Sequence, residues 1–168
     1  MNAKTEITIR PKTARDDATL VSLVLPVFRA GDTYTVDPDI SEADALAFWT
    51  APEKSVFIAE HGGEVVGTYY IRPNQAGGGA HICNCGYITA TAAQGHGIAR
   101  AMLAHSLQTA RAEGYRGMQY NFVVSENTRA VATWQKAGFE IVGRLPQAFD
   151  HPSKGLVDAL VMFKSLVD

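Results

Sequence analysis

The sequence has very little cysteine, no long apolar run and no block of like charge, and each shortage closes off a class of function. Its two cysteines in 168 residues, Cys83 and Cys85, lie two positions apart on one strand-like stretch. There they share a face at roughly 6.6–7 Å with parallel side-chain vectors, which is poor disulfide geometry. His81-x-Cys83-x-Cys85 also spreads three same-face residues too widely to surround one metal ion at ~2.0–2.3 Å. No metal site is expected, and the thiols read as small core residues. No apolar stretch approaches the ~20 residues of a membrane span, so no membrane partner is expected. The net charge is −2 with no long basic run, so nothing invites nucleic acid through phosphate neutralisation. Met1 to Arg10 is polar and charged, without the apolar core of a signal peptide, and the expectation is a cytoplasmic protein.

What is present is ordinary globular material, 46% hydrophobic, of a size that predicts one domain over residues 1–168. Ile7–Arg10 alternates like an opening strand. Thr13-Ala14-Arg15-Asp16 resembles a capping box and starts a helix carrying Leu20, Leu23, Val24 and Val27. Pro26 is expected to kink or end that helix near Leu25. A second box, Ser41 to Asp44, opens a short helix with Leu46 and Trp49. Val56–Ala59 and Val65–Ile71 flank His61-Gly62-Gly63 as a hairpin. Pro73–Gly79 reads as a mobile Gly-rich loop, and Ile82–Thr91 as the next strand. A helical stripe runs from Ile98 to Ala110 and closes at Gly114. Met118–Val124 is a strand, Asn127–Ala137 a helix, and Phe139–Leu145 and Leu156–Phe163 two late strands. A hairpin-rich first half followed by a strand–helix–strand crossover predicts an α/β mixed sheet with helices on both faces.

The segment with chemistry in it is Gln94-Gly95-His96-Gly97-Ile98-Ala99, which follows a strand and opens a helix. Glycine there lets the backbone approach a ligand and adopt positive φ. The first turn of the helix aims unpaired N–H groups, with a partial positive charge behind them, at one point. A pyrophosphate fits such a place. A plain Gly-rich reversal is the competing reading, and the strand–loop–helix context favours the anion site. A dinucleotide fingerprint fails at Arg100, and a Walker loop fails because no Gly-Lys-Ser/Thr follows.

Gln94-x-x-Gly97-x-Ala99 resembles the pyrophosphate signature of the GNAT superfamily of N-acetyltransferases. Asn127-Thr128-Arg129-Ala130 with Trp134-Gln135-Lys136-Ala137-Gly138-Phe139 resembles a second motif of that family, and the element order is similar over nearly the whole chain. The resemblance implies the GNAT acyl-CoA N-acyltransferase fold, a central, mostly antiparallel sheet with a splayed pair of strands. It also implies acetyl-CoA as cosubstrate. Pantetheine would bond main-chain groups around Ile88, Thr89 and Ala90. The backbone from Gln94 through Gly95, His96, Gly97 and Ile98 to Ala99 would take the pyrophosphate. Asn127, Ala130 and Trp134 would flank the arm, although Asn127 reads equally as a helix cap. Many family members carry a tyrosine at the position of Trp134, where it protonates the departing thiolate. An indole N–H cannot do so near neutral pH, so that role does not transfer.

The acceptor side is less defined. No Asp or Glu occurs between Ile71 and Ala112, so the strand entering the loop offers no carboxylate base. It offers Asn84, and the next strand offers Asn121. These read either as satisfying backbone groups orphaned at the splay or as orienting a small polar substrate and a water. Gly67–Asn74, His81-x-Cys83-Asn84-x-Gly86, Asn121-x-Val123 and Gly31-x-Thr33-Tyr34 are similar to the L-azetidine-2-carboxylate (proline-analogue) acetyltransferase branch. That resemblance implies a small amino or imino acid acceptor, with Asn84 and Asn121 at the reacting centre and Thr33, Tyr34 and Tyr70 beside it. Polyamines, antibiotics, protein amines or a non-catalytic acyl-CoA-binding domain are the alternatives. A homodimer is one assembly the resemblance allows.

Overall fold

The computed structural model describes residues 6–168, so Met1–Thr5, part of the segment read for a signal peptide, lies outside the described residues. The chain forms β1 (Ile7–Pro11), α1 (Asp17–Ala30), α2 (Glu42–Trp49), β2 (Ser55–His61), β3 (Glu64–Pro73) and β4 (Ile82–Thr89). It continues with α3 (Ile98–Ala112), β5 (Gly117–Val124), α4 (Thr128–Lys136), β6 (Glu140–His151) and β7 (Gly155–Ser165). The strands form one seven-stranded sheet in the order β1-β2-β3-β4-β5-β7-β6. Its single parallel pair, β4 with β5, flanks the α3 crossover, as parallel neighbours must be linked by a crossover.

Two cores follow from the pleat. On one face, Ile58, Tyr70 and Ile88 pack under α1 and α2, against Leu20, Val24, Phe28 and Trp49. On the other, Tyr69, Cys83, Cys85, Met118 and Tyr120 pack under α3, against Ile98, Met102 and Leu103. Alternate residues of β3 and β4 thus serve opposite layers, the period-two rule of a sheet covered on both sides. Trp49 is fully buried, and its indole Nε1–H donates to Thr68 Oγ1 at 3.1 Å. Cys83 and Cys85 are free, buried thiols.

Three expectations shift. Pro26 lies inside α1 and does not end it; the helix runs on to Ala30 and stops at Gly31 with φ 66°. Pro26 removes one helical hydrogen bond, but burial of Leu23, Val24 and Phe28 on both sides of it holds the helix together. The Thr13 box is present. The Thr13 N–H donates to Asp16 Oδ2 at 2.7 Å, but the turn is 3-10 in form and α1 starts only at Asp17. The late strands are longer than their apolar cores, because β6 and β7 pair from Glu140↔Phe163 to His151↔Gly155, with irregularities that absorb Gln147 at φ 52°. Pairing to β7 resumes at 149–151 beyond these irregularities, and 152–154 form the turn.

Candidate active site

β4 and β5 pair only at Ile82↔Gly117 and Cys83↔Met118. Beyond those residues the strands diverge, and a cavity of about 1100 Å³ opens between them. It is lined on the α1–α2 face by Thr33, Tyr34, Tyr70, Arg72, Asn84 and Asn121, and on the α3–α4 face by the 94–100 loop, Asn127, Ala130 and Trp134. Such a gap leaves backbone groups of both strands unpaired along its edges.

Which groups face the gap follows from strand alternation. Ala90 N–H donates to Val66 O at 2.8 Å, so it points toward β3. The main chain of Ile88 points the same way, and that of Cys85, Tyr87 and Thr89 points into the gap. Of the three residues expected to meet pantetheine, Ile88 and Ala90 therefore turn their main chain to β3, and Thr89 turns its main chain to the gap. Tyr34 crosses from the α1–α2 layer and donates its hydroxyl to Tyr87 O at 3.1 Å.

Asn84 stands one residue past the last β4–β5 pair. Its Nδ2 donates to Gln119 O at 2.8 Å, spanning the opening and satisfying a carbonyl orphaned by the divergence. Its Oδ1 is left for another donor. Asn121 Nδ2 donates to Asn74 Oδ1 at 2.7 Å and Asn121 Oδ1 accepts from Gln119 Nε2 at 2.9 Å. The two asparagines thus frame the mouth of the gap from opposite strands. Tyr70 closes it from β3: an added Cβ on Gly86 would lie 2.6 Å from Tyr70 Cε1, so glycine is what lets the ring cover β4. That ring meets Trp49 edge-on at 4.9 Å.

Two cations sit beside Tyr70. Lys54 Nζ lies 3.8 Å from the Phe48 ring centre and 4.4 Å from that of Tyr70, and also donates to Phe48 O. Burial, with help from Arg72, pushes the Lys54 ammonium down to about 8. Arg72 is directly opposite Asn84 across the β3–β4 ladder. Among the described residues, the cavity lining contains arginine and lysine but no Asp or Glu.

On the other face, Gly95 and Gly97 both adopt φ 83°, and Gly97 caps α3. The first helical bond is Ala101 N–H to Gly97 O, leaving the N–H groups of Ile98, Ala99 and Arg100 ahead of it. The loop lines the cavity except at His96, whose ring Nδ1 turns to Ala93 O at 3.2 Å. Asn127 is the cap of α4, its Oδ1 accepting from Ala130 N at 3.4 Å. Trp134 packs on Tyr87 and Tyr120 with ring centres 5.1 Å away in each case.

Behind Trp134 runs a chain of hydroxyls. Ser106 donates to Leu103 O at 2.8 Å and lies 2.7 Å from the Tyr87 hydroxyl, which is 3.0 Å from that of Tyr120; Met118 Sδ is a further acceptor, 3.7 Å from Tyr87 and 3.5 Å from Tyr120. Burial raises both tyrosines well above the ordinary phenol range. Sequence reasoning gave no individual role to Arg72, Lys54, Asn74 or Gly86. Arg72 was within reach of it, since two positions beyond Tyr70 on a strand means the same face.

A mixed sheet opened at a parallel pair, with a glycine loop and helix start at one end, defines an acyl-CoA transferase architecture. The profile of the Acetyltransferase (GNAT) family matches residues 23–139, so the chain belongs to that family. It is similar to the N-acetyltransferase aca1 of Schizosaccharomyces pombe, 25% identical over 90% of this chain and 82% of that protein. The GCN5-related N-acetyltransferase of Kribbella flavida superposes with a TM-score of 0.89 at 33% identity, covering 95% of this chain and 97% of the other. The fold is shared as well by a phosphinothricin acetyltransferase of Sinorhizobium meliloti solved with AcCoA, at TM-score 0.82 and 19% identity over 95% and 88% of the chains. The protein is an acetyl-CoA-dependent acetyltransferase.

Proposed function

We propose that this chain, read as one domain over residues 1–168, moves an acetyl group from acetyl-CoA to the nitrogen of a small amino or imino acid. The observation that carries the reading is the single cavity running through the splay, with a phosphate-type loop at one face and a small asparagine-framed mouth at the other. The cofactor residues fit acetyl-CoA. Backbone N–H groups at Gly97–Arg100 and the start of α3 suit the pyrophosphate. The open edges at Cys85, Tyr87 and Thr89 suit the pantetheine amides, and Trp134 walls the slot. The proline-analogue reading is supported further by the residue pattern of Gly67–Asn74, Asn84, Gly86 and Asn121.

Chemistry then rests on positioning. The acceptor nitrogen, as the free base, attacks the thioester carbonyl carbon; the N–C bond forms, the C–S bond breaks, coenzyme A leaves as thiolate, and the nitrogen gives its proton to water at the mouth of the gap. The Trp134 indole offers the sulfur no proton near neutral pH, and burial holds the Tyr87 and Tyr120 hydroxyls well above the ordinary phenol range. A thiolate of pKa near ~8.5 departs without that help. Alignment in a ternary complex and main-chain donors around the carbonyl oxygen supply the acceleration. Cys83 and Cys85 lie in the α3-side core, and burial raises the Cys85 thiol well above its ordinary value, which disfavours an acyl-enzyme route.

Thiol release from acetyl-CoA, followed over amino acids, proline analogues, polyamines, antibiotics and peptide amines, tests the reading. Turnover confined to small amino or imino acids is expected. Tight coenzyme A binding with no turnover on any of them would identify a non-catalytic binding domain instead. Combined Gln94→Ala and Gly97→Trp should abolish acetyl-CoA binding; retained binding would move the cofactor elsewhere.

A further inference from the structure

Arg72 is a cation without a settled partner. Its Nη1 approaches only Glu53 Oε1, at 3.5 Å, and the Glu53 side chain is 51% exposed. Its Nε is buried and has no hydrogen-bond partner. Leaving a guanidinium N–H buried and unpaired costs free energy, and a planar fork of donors is suited to a carboxylate. Arg72 lines the cavity and faces Asn84 directly across the ladder, where neighbouring strands stand ~4.8 Å apart. Lys54, held over Tyr70, adds a second positive charge, and no acid among the described residues lines the cavity to balance them.

We propose that Arg72 is the anchor for a carboxylate carried by the acceptor. The acceptor is then an α-amino or α-imino acid, whose nitrogen reaches the gap beside Asn84 while its carboxylate rests on the Arg72 fork. This deepens the acetyltransfer reading and rests on it. The distances suit the class: nitrogen and carboxylate joined through a single carbon fit between adjacent strands. Binding exchanges the long, exposed Glu53 contact for a two-point, charge-assisted pair that also uses the orphaned Nε–H. A dicationic polyamine would instead bring like charge to Arg72 and Lys54 with no carboxylate to receive it.

The experiment compares azetidine-2-carboxylate with its carboxamide on the acetyl-CoA-saturated enzyme, reading KM and kcat separately. The wild-type KM should favour the acid by about 10- to 100-fold, the range of one or two hydrogen bonds to a charged group. Arg72→Gln should raise the KM of the acid until the two match, with little change for the amide and none in acetyl-CoA affinity. Arg72→Lys, which keeps the charge but not the fork, should fall between. Glu53→Gln, which removes the competitor from the exposed rim, should lower the KM of the acid. An unchanged acid-to-amide ratio in Arg72→Gln overturns the anchor while leaving acetyltransfer to amino acids intact. Wild-type preference for the amide or for spermidine overturns both the anchor and the amino-acid acceptor. If no acceptor is turned over, equilibrium binding of the same acid and amide to the coenzyme A-loaded protein decides. Acid binding lost in Arg72→Gln supports the anchor, and equal or absent binding of acid and amide to the wild type overturns it.

Discussion

Replacing Gly86 by alanine should damage the acceptor half of the site while leaving the donor half intact. An added Cβ would stand 2.6, 2.8 and 2.9 Å from Cε1, Cζ and Oη of Tyr70, all inside contact distance. A long flexible chain would swing clear of such an overlap, but this ring is rigid. It is 7% exposed, meets Trp49 at 4.9 Å and lies under Lys54 Nζ at 4.4 Å. The ring must tilt or β4 must retreat, and overpacking of this kind costs about 1–3 kcal/mol. For a chain of this length that is a fall in Tm of roughly 2–12 °C. The tilt would also displace the cavity wall next to Asn84 and Arg72, so acceptor KM should rise while acetyl-CoA affinity stays within error. Calorimetric melting and two-substrate kinetics read both effects. Tyr70→Ala in the same chain supplies the control: with the ring gone, Gly86→Ala should add almost nothing, a coupling that a double-mutant cycle reports directly. Wild-type melting and acceptor kinetics in Gly86→Ala would refute the contact as the reason for glycine, as would simple additivity with Tyr70→Ala.

Three further outcomes are expected. Thr68→Val deletes the hydroxyl that accepts from Trp49 Nε1 and donates to Phe57 O at 2.8 Å; with Thr68 fully buried, the stranded indole N–H should cost about 1–3 kcal/mol in chemical denaturation. Tyr87→Phe breaks the hydroxyl chain and leaves the Tyr120 hydroxyl only the weak acceptor Met118 Sδ, at 3.5 Å, so it should lower Tm by a few degrees without changing the pH dependence of kcat. Asp16 receives both Arg10 Nη1 and Nη2, at 2.9 and 2.8 Å, and the Arg10 guanidinium holds its carboxyl well below the usual range. Its stabilisation is therefore complete above the unfolded carboxyl pKa of ~3.9 and is lost as pH falls below it. Asp16→Asn should lower stability at pH 7 and flatten the acid limb of the stability curve, measured by denaturant midpoints between pH 2 and 7.

The sheet was legible because its signals are local. The β-branched and aromatic run Val65–Ile71, the Gly62–Gly63 turn and the Ile98–Ala110 stripe each needs only a few neighbouring residues, and each element appears where the pattern puts it. The failures are equally local in cause. Pro26 reads as a kink or an end on backbone grounds, and the end does not occur: Leu23, Val24 and Phe28 are buried against Trp49 and Ile58, and tertiary packing overrides one missing hydrogen bond. β6 reads as ending at Leu145 because Pro146 and Gln147 look like loop, whereas its pairing to β7 resumes at Phe149↔Val157 once the irregularity is passed. A bulge leaves no signature in residue periodicity.

The candidate site divides along the same line. Gly95, Gly97 and the start of α3 announce an anion-binding turn within six residues, since the sequence itself places positive-φ positions ahead of unpaired helical N–H groups. The acceptor mouth is built instead from β3, β4, β5 and the segment before α2, and its meaning lies in register. Asn84 matters because pairing ends one residue before it, and Arg72 because it is the cross-ladder partner of Asn84. Tyr70 matters because its partner Gly86 has no Cβ. None of these relations has a fixed sequence spacing. The main chain of β4 shows the consequence: a shift of one residue decides whether an amide faces β3 or the gap, and only the bond from Ala90 to Val66 O settles it. On the proposed assignment the donor end is encoded in a short motif and acceptor choice in strand register, so one sheet could keep its acetyl donor and change its acceptor through a few same-face substitutions on β3 and β4.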